Sequence, residues 1–173
     1  MKNLSRMNKI IAAAIVLTGF ATTAGAQSVD HASTTAILVQ PLTITKTTDM
    51  HFGVVAASAA AGTIALDYGN IVTAGGGAAV IDDALAKTAV FLVEGEAGES
   101  FSIALSNTSI VLSNGTDDLT VDGIEVQEGT TNTLDATTGT LELFVKATLQ
   151  VVANAPAGVY ENADELEITV AYN

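Results

Sequence analysis

The chain has 173 residues, no cysteine and a formal net charge of −13, from six basic and 19 acidic residues. A surface with this charge repels nucleic acid and anionic lipid, and it favours solubility, cations or basic partners. The absence of cysteine excludes disulfides, thiol catalysis and thiolate metal sites. Stability must therefore come from a hydrophobic core and from backbone hydrogen bonds.

Residues 1–26 have the three-part pattern of a Sec signal peptide. A basic start precedes an apolar run at 10–20, and small residues of the A-x-A type follow it at Ala24 and Ala26. A membrane anchor is the alternative, but the run is shorter than the roughly 20 residues that span a bilayer. We therefore expect cleavage before Gln27 and an exported protein in the periplasm, at the cell surface or outside the cell.

Cleavage would leave residues 27–173, with three lysines, all 19 acidic residues and a net charge of −16. This length predicts one domain. Residues 27–33 are polar and are expected to form a flexible lead-in, with a single domain at 34–173. Residues 27–173 contain no apolar stretch of about 18 residues, so we expect no membrane span in the mature chain.

The first half of the predicted domain contains short β-prone stretches. Residues 34–40 are β-prone. Pro41 follows them, and because proline has no backbone N–H it cannot donate a hydrogen bond to a neighbouring strand. Residues 127–139 are predicted to form a long exposed loop, and residues 82–87 a single helical turn. Asn114-Gly115 is a strong hairpin signal. The other predicted strands lie at 42–45, 50–55, 63–67, 71–74, 88–93, 100–105, 109–113 and 119–126.

The two clearest strands lie near the C-terminus. Residues 140–151 carry six apolar side chains in strict alternation, a period that a helix does not produce. Residues 165–172 alternate likewise, after a turn at 155–160 that makes either a hairpin or a connection between sheets. Short strands without a credible helix predict an all-β fold, an antiparallel immunoglobulin-like β-sandwich of about seven to nine strands.

Three segments carry a family resemblance. They are residues 36–45 with Met50-His51-Phe52-Gly53, residues 149–160 with Pro156-Ala157-Gly158-Val159-Tyr160, and the closing alternation that ends at Tyr172. Together they resemble an exported bacterial family catalogued as domain of unknown function 4402. More distantly, they resemble spore coat protein U and the archaic chaperone–usher pilin subunits.

The pilin resemblance implies assembly by β-strand complementation, in which an N-terminal donor segment of one subunit completes the sandwich of the next. Such pilins usually carry a disulfide, which this chain lacks. The implied partners are further copies of the chain or an export chaperone. A monomeric sandwich that uses residues 34–40 as its own first strand is the alternative. The residues implied in assembly are Ala36, Ile37, Leu38, Val39, Leu166, Ile168, Val170 and Tyr172.

No catalytic motif, phosphate-binding loop or dinucleotide fingerprint occurs, so we expect a protein that is not an enzyme and needs no cofactor. His31 and His51 have no second ligand at metal-site spacing. Asp82-Asp83, and Asp117-Asp118 with Asp122, are read as solvated turn acids, with Ca²⁺ as the alternative. The predicted function is a structural or surface protein. The alternative is a monomeric module that binds a sugar, a cation or a protein.

Overall fold

The structure is a computed structural model that describes residues 28–162 and 166–173. The predicted signal peptide, residues 1–26, lies outside the described residues. The chain divides into two compact units, Met1–Ala36 and Ile37–Asn173. Residues 28–36 contain no helix or strand, and every strand described below belongs to the second unit.

Twelve strands lie in the described residues, and all pairs between them are antiparallel. They are β1 (Thr43–Thr48), β2 (Val54–Ala56), β3 (Gly62–Leu66), β4 (Val72–Gly76), β5 (Ala79–Asp82), β6 (Ala89–Glu94), β7 (Ser100–Leu105), β8 (Ile110–Ser113), β9 (Asp118–Val126), β10 (Thr131–Thr133), β11 (Thr140–Val151) and β12 (Ile168–Tyr172). The predicted all-β, antiparallel class is confirmed.

β11 organises the largest sheet, which has seven strands. Its first half pairs with β6, from Thr140↔Glu94 to Val145↔Ala89, and its second half pairs with β3, from Ala147↔Leu66 to Val151↔Gly62. β9 pairs with residues 145–150. Because β3 and β9 cover the same residues of β11, they lie on its two opposite edges. β1, β4 and β8 extend the sheet beyond β6, β3 and β9.

Two smaller sheets complete the fold. One has the order β10-β7-β12, and the other contains β2 and β5. Buried side chains of the seven-stranded and three-stranded sheets form one hydrophobic core, as two sheets of a β-sandwich do. The largest fully buried apolar side chains are Phe101, Ile64, Leu66, Leu134, Leu143, Val93, Val121 and Val145. The turn at 155–160 therefore connects two sheets and does not close a hairpin.

The strand count exceeds the predicted seven to nine, and two of the short strands, β5 and β10, form where no strand was predicted. The predicted strand at 50–55 is interrupted by Gly53 at φ +81°, so only Val54–Ala56 forms a ladder, with β5. The predicted loop at 127–139 contains β10 and the buried Leu134. The predicted helical turn at 82–87 is not helical.

The sequence interpretation of residues 34–40 as the domain's own first strand is wrong in the structure, which shows no strand there. Pro41 provides no N–H for a ladder, and the N–H of Gln40 donates to the Glu96 side chain at 3.1 Å. The sheet begins two residues after the proline, at Thr43.

Candidate functional site

The candidate site is the outer edge of β12, the last strand. Within the described residues β12 pairs only with β7, from Ile168↔Leu105 to Tyr172↔Phe101. Its opposite edge therefore has no hydrogen-bonded partner strand in that part of the chain, although residues of β1 come close to β12. An edge of this kind presents backbone donors and acceptors to which another strand can add.

The hydrogen-bond pattern identifies which backbone groups face outward. Ser106 N–H donates to Glu167 O at 3.0 Å, and Asn173 N–H donates to Ser100 O at 3.2 Å. Because such pairs alternate along antiparallel strands, Thr169 and Ala171 also bond to β7. The N–H and C=O groups of Ile168, Val170 and Tyr172 point away from β7, and no other described residue pairs with them.

Four of the predicted assembly residues lie in β12 or just before it, and their side chains pack against the core. Ile168 is buried, whereas Leu166, Val170 and Tyr172 are only half-buried. β1 is a second edge strand, paired only with β6 among the described strands, and its Ile44 is also half-buried. The core is thus incompletely covered beside two open edges.

The other predicted assembly residues lie in the segment before β1. We call residues 37–40 the arm. Ile37 is 87% exposed, Leu38 90% and Val39 51%, and none of them belongs to a strand. Ala36 is the last residue of the first unit and also lies outside any strand. Three consecutive large apolar side chains in water carry a free-energy cost that burial against another surface would remove.

The arm and β12 meet at the Tyr172 hydroxyl. This hydroxyl donates to Gln40 O at 2.8 Å and accepts the N–H of Glu96 at 2.7 Å. The Gln40 N–H in turn donates to a carboxylate oxygen of Glu96. We call these three residues the clamp. Sequence reasoning identified Tyr172 but missed Gln40 and Glu96, because 132 and 76 residues separate them from Tyr172 and no local pattern marks such contacts.

A separate polar cleft of about 310 Å³ lies between the β3–β4 turn, β9 and β11. The Lys146 ammonium lies 2.8 Å from a carboxylate oxygen of Glu125 and 5.4 Å from the centre of the Tyr68 ring. The hydrogen bond to Glu125 raises the pKa of Lys146, and burial raises the pKa of Tyr68. The hydroxyl-bearing residues Thr73 and Thr148 also line the cleft.

His51 and two of the predicted turn acids, Asp82 and Asp122, have local structural roles. His51 Nδ1 accepts the N–H of Gly53 at 2.8 Å, and Asp82 accepts the N–H of Ala84. Asp122 accepts two bonds from the Gln150 amide in neighbouring β11. Among residues 28–162 and 166–173, no group of three or more His, Asp or Glu side chains could hold a metal ion.

The fold and the edge geometry define a class of protein: an antiparallel all-β domain with open sheet edges. No helix in the described part of the chain has the length and apolar character of a membrane span. Residues 42–172 match the family model described as Domain of unknown function (DUF4402), and the chain belongs to this family. The family assignment predicted from sequence is confirmed, and the matched region begins directly after Pro41.

Comparison with curated proteins and with solved structures finds no match. The more distant resemblance to spore coat protein U and the pilins therefore stays a prediction.

Proposed function

We propose that this protein is a non-enzymatic, exported structural or surface subunit whose copies assemble by β-strand complementation. The arm of one copy pairs with the β12 edge of the next. The observation that carries this proposal is the outward-facing backbone of Ile168, Val170 and Tyr172 beside an incompletely covered core.

The exposed arm supports the same proposal. Fully burying one Ile, Leu or Val side chain stabilises by about 1.5–3 kcal/mol, and the arm offers three such side chains. Every second residue of an added strand also forms hydrogen bonds with an edge that otherwise depends on water. An open edge and an exposed apolar segment in one chain are therefore complementary in chemistry.

The direction of the arm favours exchange between copies. Gln40 lies at the Tyr172 end of β12. If the arm folded back along its own β12, it would run in the same direction as that strand, giving a parallel ladder. A second copy's arm can approach from either direction and form the antiparallel ladder, which is slightly more stable per residue.

The test uses the mature chain, residues 27–173, studied by light scattering and electron microscopy. We expect multimers or fibres from the intact chain. Deleting residues 27–40 should give folded monomers, because the arm is removed and the acceptor edge remains. Added to intact chains, the deletion variant should shorten the assemblies, since it accepts an arm but donates none. A monodisperse monomer at high concentration with the arm present would refute the proposal.

A point variant sharpens this test. Ile37→Asp places a charge in the arm without changing its length, and it should weaken assembly by at least about tenfold, because a buried unpaired carboxylate is strongly disfavoured. Val159→Asp is the matched control, since Val159 is also highly exposed, at 76%, but lies outside the arm and β12. Equal effects from the two variants would show that the arm is not the donor.

The polar cleft favours a second candidate, a monomeric binding module. Its hydroxyl groups, carboxylates and single ammonium suit a neutral sugar better than an anion, because Glu125 already neutralises Lys146. Ligand-observed NMR with a panel of neutral monosaccharides tests this function. Binding that Lys146→Met and Thr148→Val both abolish would support it. Binding unchanged in both variants, or none at all, would exclude the cleft.

A further inference from the structure

The clamp closes a ring of three hydrogen bonds between the arm, the loop after β6 and the last strand. Tyr172 bonds to both Gln40 and Glu96, and Gln40 bonds to Glu96, with distances of 2.7–3.1 Å. Gln40 is therefore held on both its backbone groups, N–H and C=O. The next residue, Pro41, has a fixed φ, which removes one rotation from the chain between the arm and β1.

The loop that carries Glu96 is itself held in place. Gly95 is buried, and its N–H donates to Gly139 O at 2.9 Å. A Cβ atom on Gly95 would overlap the Tyr172 hydroxyl and press on Leu134 and Leu42. Only glycine leaves room for the hydroxyl here. The Tyr172 hydroxyl in this ring thus rests on a packed support.

The held segment is the one that would have to turn if the arm folded onto its own domain. Pairing residues 37–39 with the chain's own β12 requires a reversal at Gln40–Pro41. β1 leaves the Tyr172 end of β12 and runs opposite to it, so such a turn would reorient the Gln40 backbone groups that the clamp holds. Pairing with a second copy needs no such reversal.

We propose that the clamp selects the partner of the arm, and that it prevents closure on the chain's own β12 so that the arm pairs with a second copy of the chain. This inference rests on the proposed function. Tyr172 acts as a positioning residue through its hydroxyl, separately from its ring, which lies against the core. Removing the hydroxyl alone therefore changes which chain the arm binds, without removing the acceptor edge.

Engineered cysteines test this choice of partner cleanly, because the natural chain contains none. Leu38→Cys lies in the arm, and Thr169→Cys is exposed in the middle of β12. After oxidation, a non-reducing gel with mass spectrometry separates links within one chain from links between chains. We expect links between chains in this background. Adding Tyr172→Phe should shift the ratio about fivefold toward links within one chain, as expected for the loss of about one net hydrogen bond.

Two further variants control for indirect effects. Glu96→Ala removes the acceptor of the Gln40 N–H and should shift the ratio in the same direction, so the test survives if Tyr172→Phe fails to fold. Tyr160→Phe is the matched control, since the Tyr160 hydroxyl donates to Pro156 O at 2.9 Å away from the arm. It should leave the ratio unchanged.

The outcomes separate the clamp from the proposed function. If Tyr172→Phe and Glu96→Ala both keep the original ratio while chains still link to one another, the clamp is refuted and strand exchange stands. If the starting background gives only links within one chain, or no links, strand exchange itself is refuted. A shift in both clamp variants, with none in Tyr160→Phe, supports the inference.

Discussion

The side-chain hydroxyl of Thr88 donates a hydrogen bond to the carbonyl oxygen of Val145, at the point where β11 changes its partner from β6 to β3. Thr88 is 1% exposed, and its backbone N–H donates to the Asn70 side chain at 2.6 Å. One residue thus satisfies polar groups at the gap between two strands. The hydroxyl is an additional donor to a buried carbonyl that also belongs to the β6–β11 ladder.

Thr88→Val keeps the shape of the side chain and removes this donor. We expect the free energy of unfolding to fall by about 0.5–1.5 kcal/mol, the net contribution of one intramolecular hydrogen bond, because Val145 remains paired with Ala89 in the β6–β11 ladder. Urea denaturation measures it. Thr73→Val makes the same change at an exposed position of β4 and should stay within about 0.5 kcal/mol of the natural chain. Equal losses in the two variants would contradict the role assigned to Thr88.

Gly95→Ala should destabilise the domain by about 1–3 kcal/mol, because its Cβ overlaps the Tyr172 hydroxyl and overpacks the core edge. It should also release the arm, which hydrogen exchange at the Gln40 amide detects as faster exchange. Gly69→Ala is the control, since a Cβ there meets only the Asp67 carboxylate, at 3.4 Å or more. If Gly95→Ala changed neither the stability nor the exchange rate of the Gln40 amide, the clamp would have no packed support.

The sequence was most informative where one strand carries a strict pattern. The predicted bounds of the strands at 140–151 and 100–105 agree with β11 and β7, and Asn114-Gly115 lies in the predicted β8–β9 hairpin. The Asn114 side chain accepts the N–H groups of Thr116 and Asp117, which is the local turn chemistry that the sequence indicates. Alternation and turn residues are local signals, so a single sequence contains them.

Long-range contacts carried no such signal. Leu134 is isolated among polar residues, so nothing local marks it as core, yet it is 1% exposed. Residues 34–40 have the β-prone composition of a strand but find no partner edge, because pairing depends on tertiary context. The clamp joins three distant segments through backbone groups, and backbone groups are the same at every position. The terminal alternation indicated β12, but only the topology shows that one of its edges is open.

Asp135 provides a test in acid. Its carboxylate accepts the N–H groups of Thr138 and Thr137, at 2.7 and 2.9 Å, and the Thr138 hydroxyl, which lowers its pKa below the ordinary value of 3.8. A lowered pKa in the folded state stabilises above pH 3.8, and this contribution is lost as the pH falls through the folded-state pKa. Carbon-detected NMR titration should give a midpoint below 3.8.

The control for this titration is Asp135→Asn, which has no titratable group. Its difference in stability from the natural chain should shrink as the solution is acidified, because the natural carboxyl becomes protonated. A midpoint at or above 3.8 would contradict the hydrogen bonding of this turn.

Lys146→Met should move the ionisation of Tyr68 to still higher pH, since the nearby positive charge favours the phenolate and opposes the effect of burial. Absorbance at 295 nm, with Tyr68→Phe subtracted, follows this titration. Lys146→Arg keeps the positive charge and should leave the pKa of Tyr68 near its value in the natural chain. Since the Lys146–Glu125 ion pair is exposed, we expect Lys146→Met to lower the free energy of unfolding by less than about 1 kcal/mol. A downward shift in Lys146→Met would contradict the geometry of the cleft.

The position of β11 in the chain has a consequence for how the protein is made. β3, β6 and β9 all pair with β11, and all three precede it in sequence. Until residues 140–151 leave the ribosome, these three strands cannot be joined into one sheet, and the apolar faces that pack in the complete domain stay uncovered. Sheets assembled from such distant contacts form slowly and expose aggregation-prone surface meanwhile. A chain stopped at Gly139 would lack the strand that joins the three, and we expect it to be more sensitive to proteases and to aggregation than the complete chain.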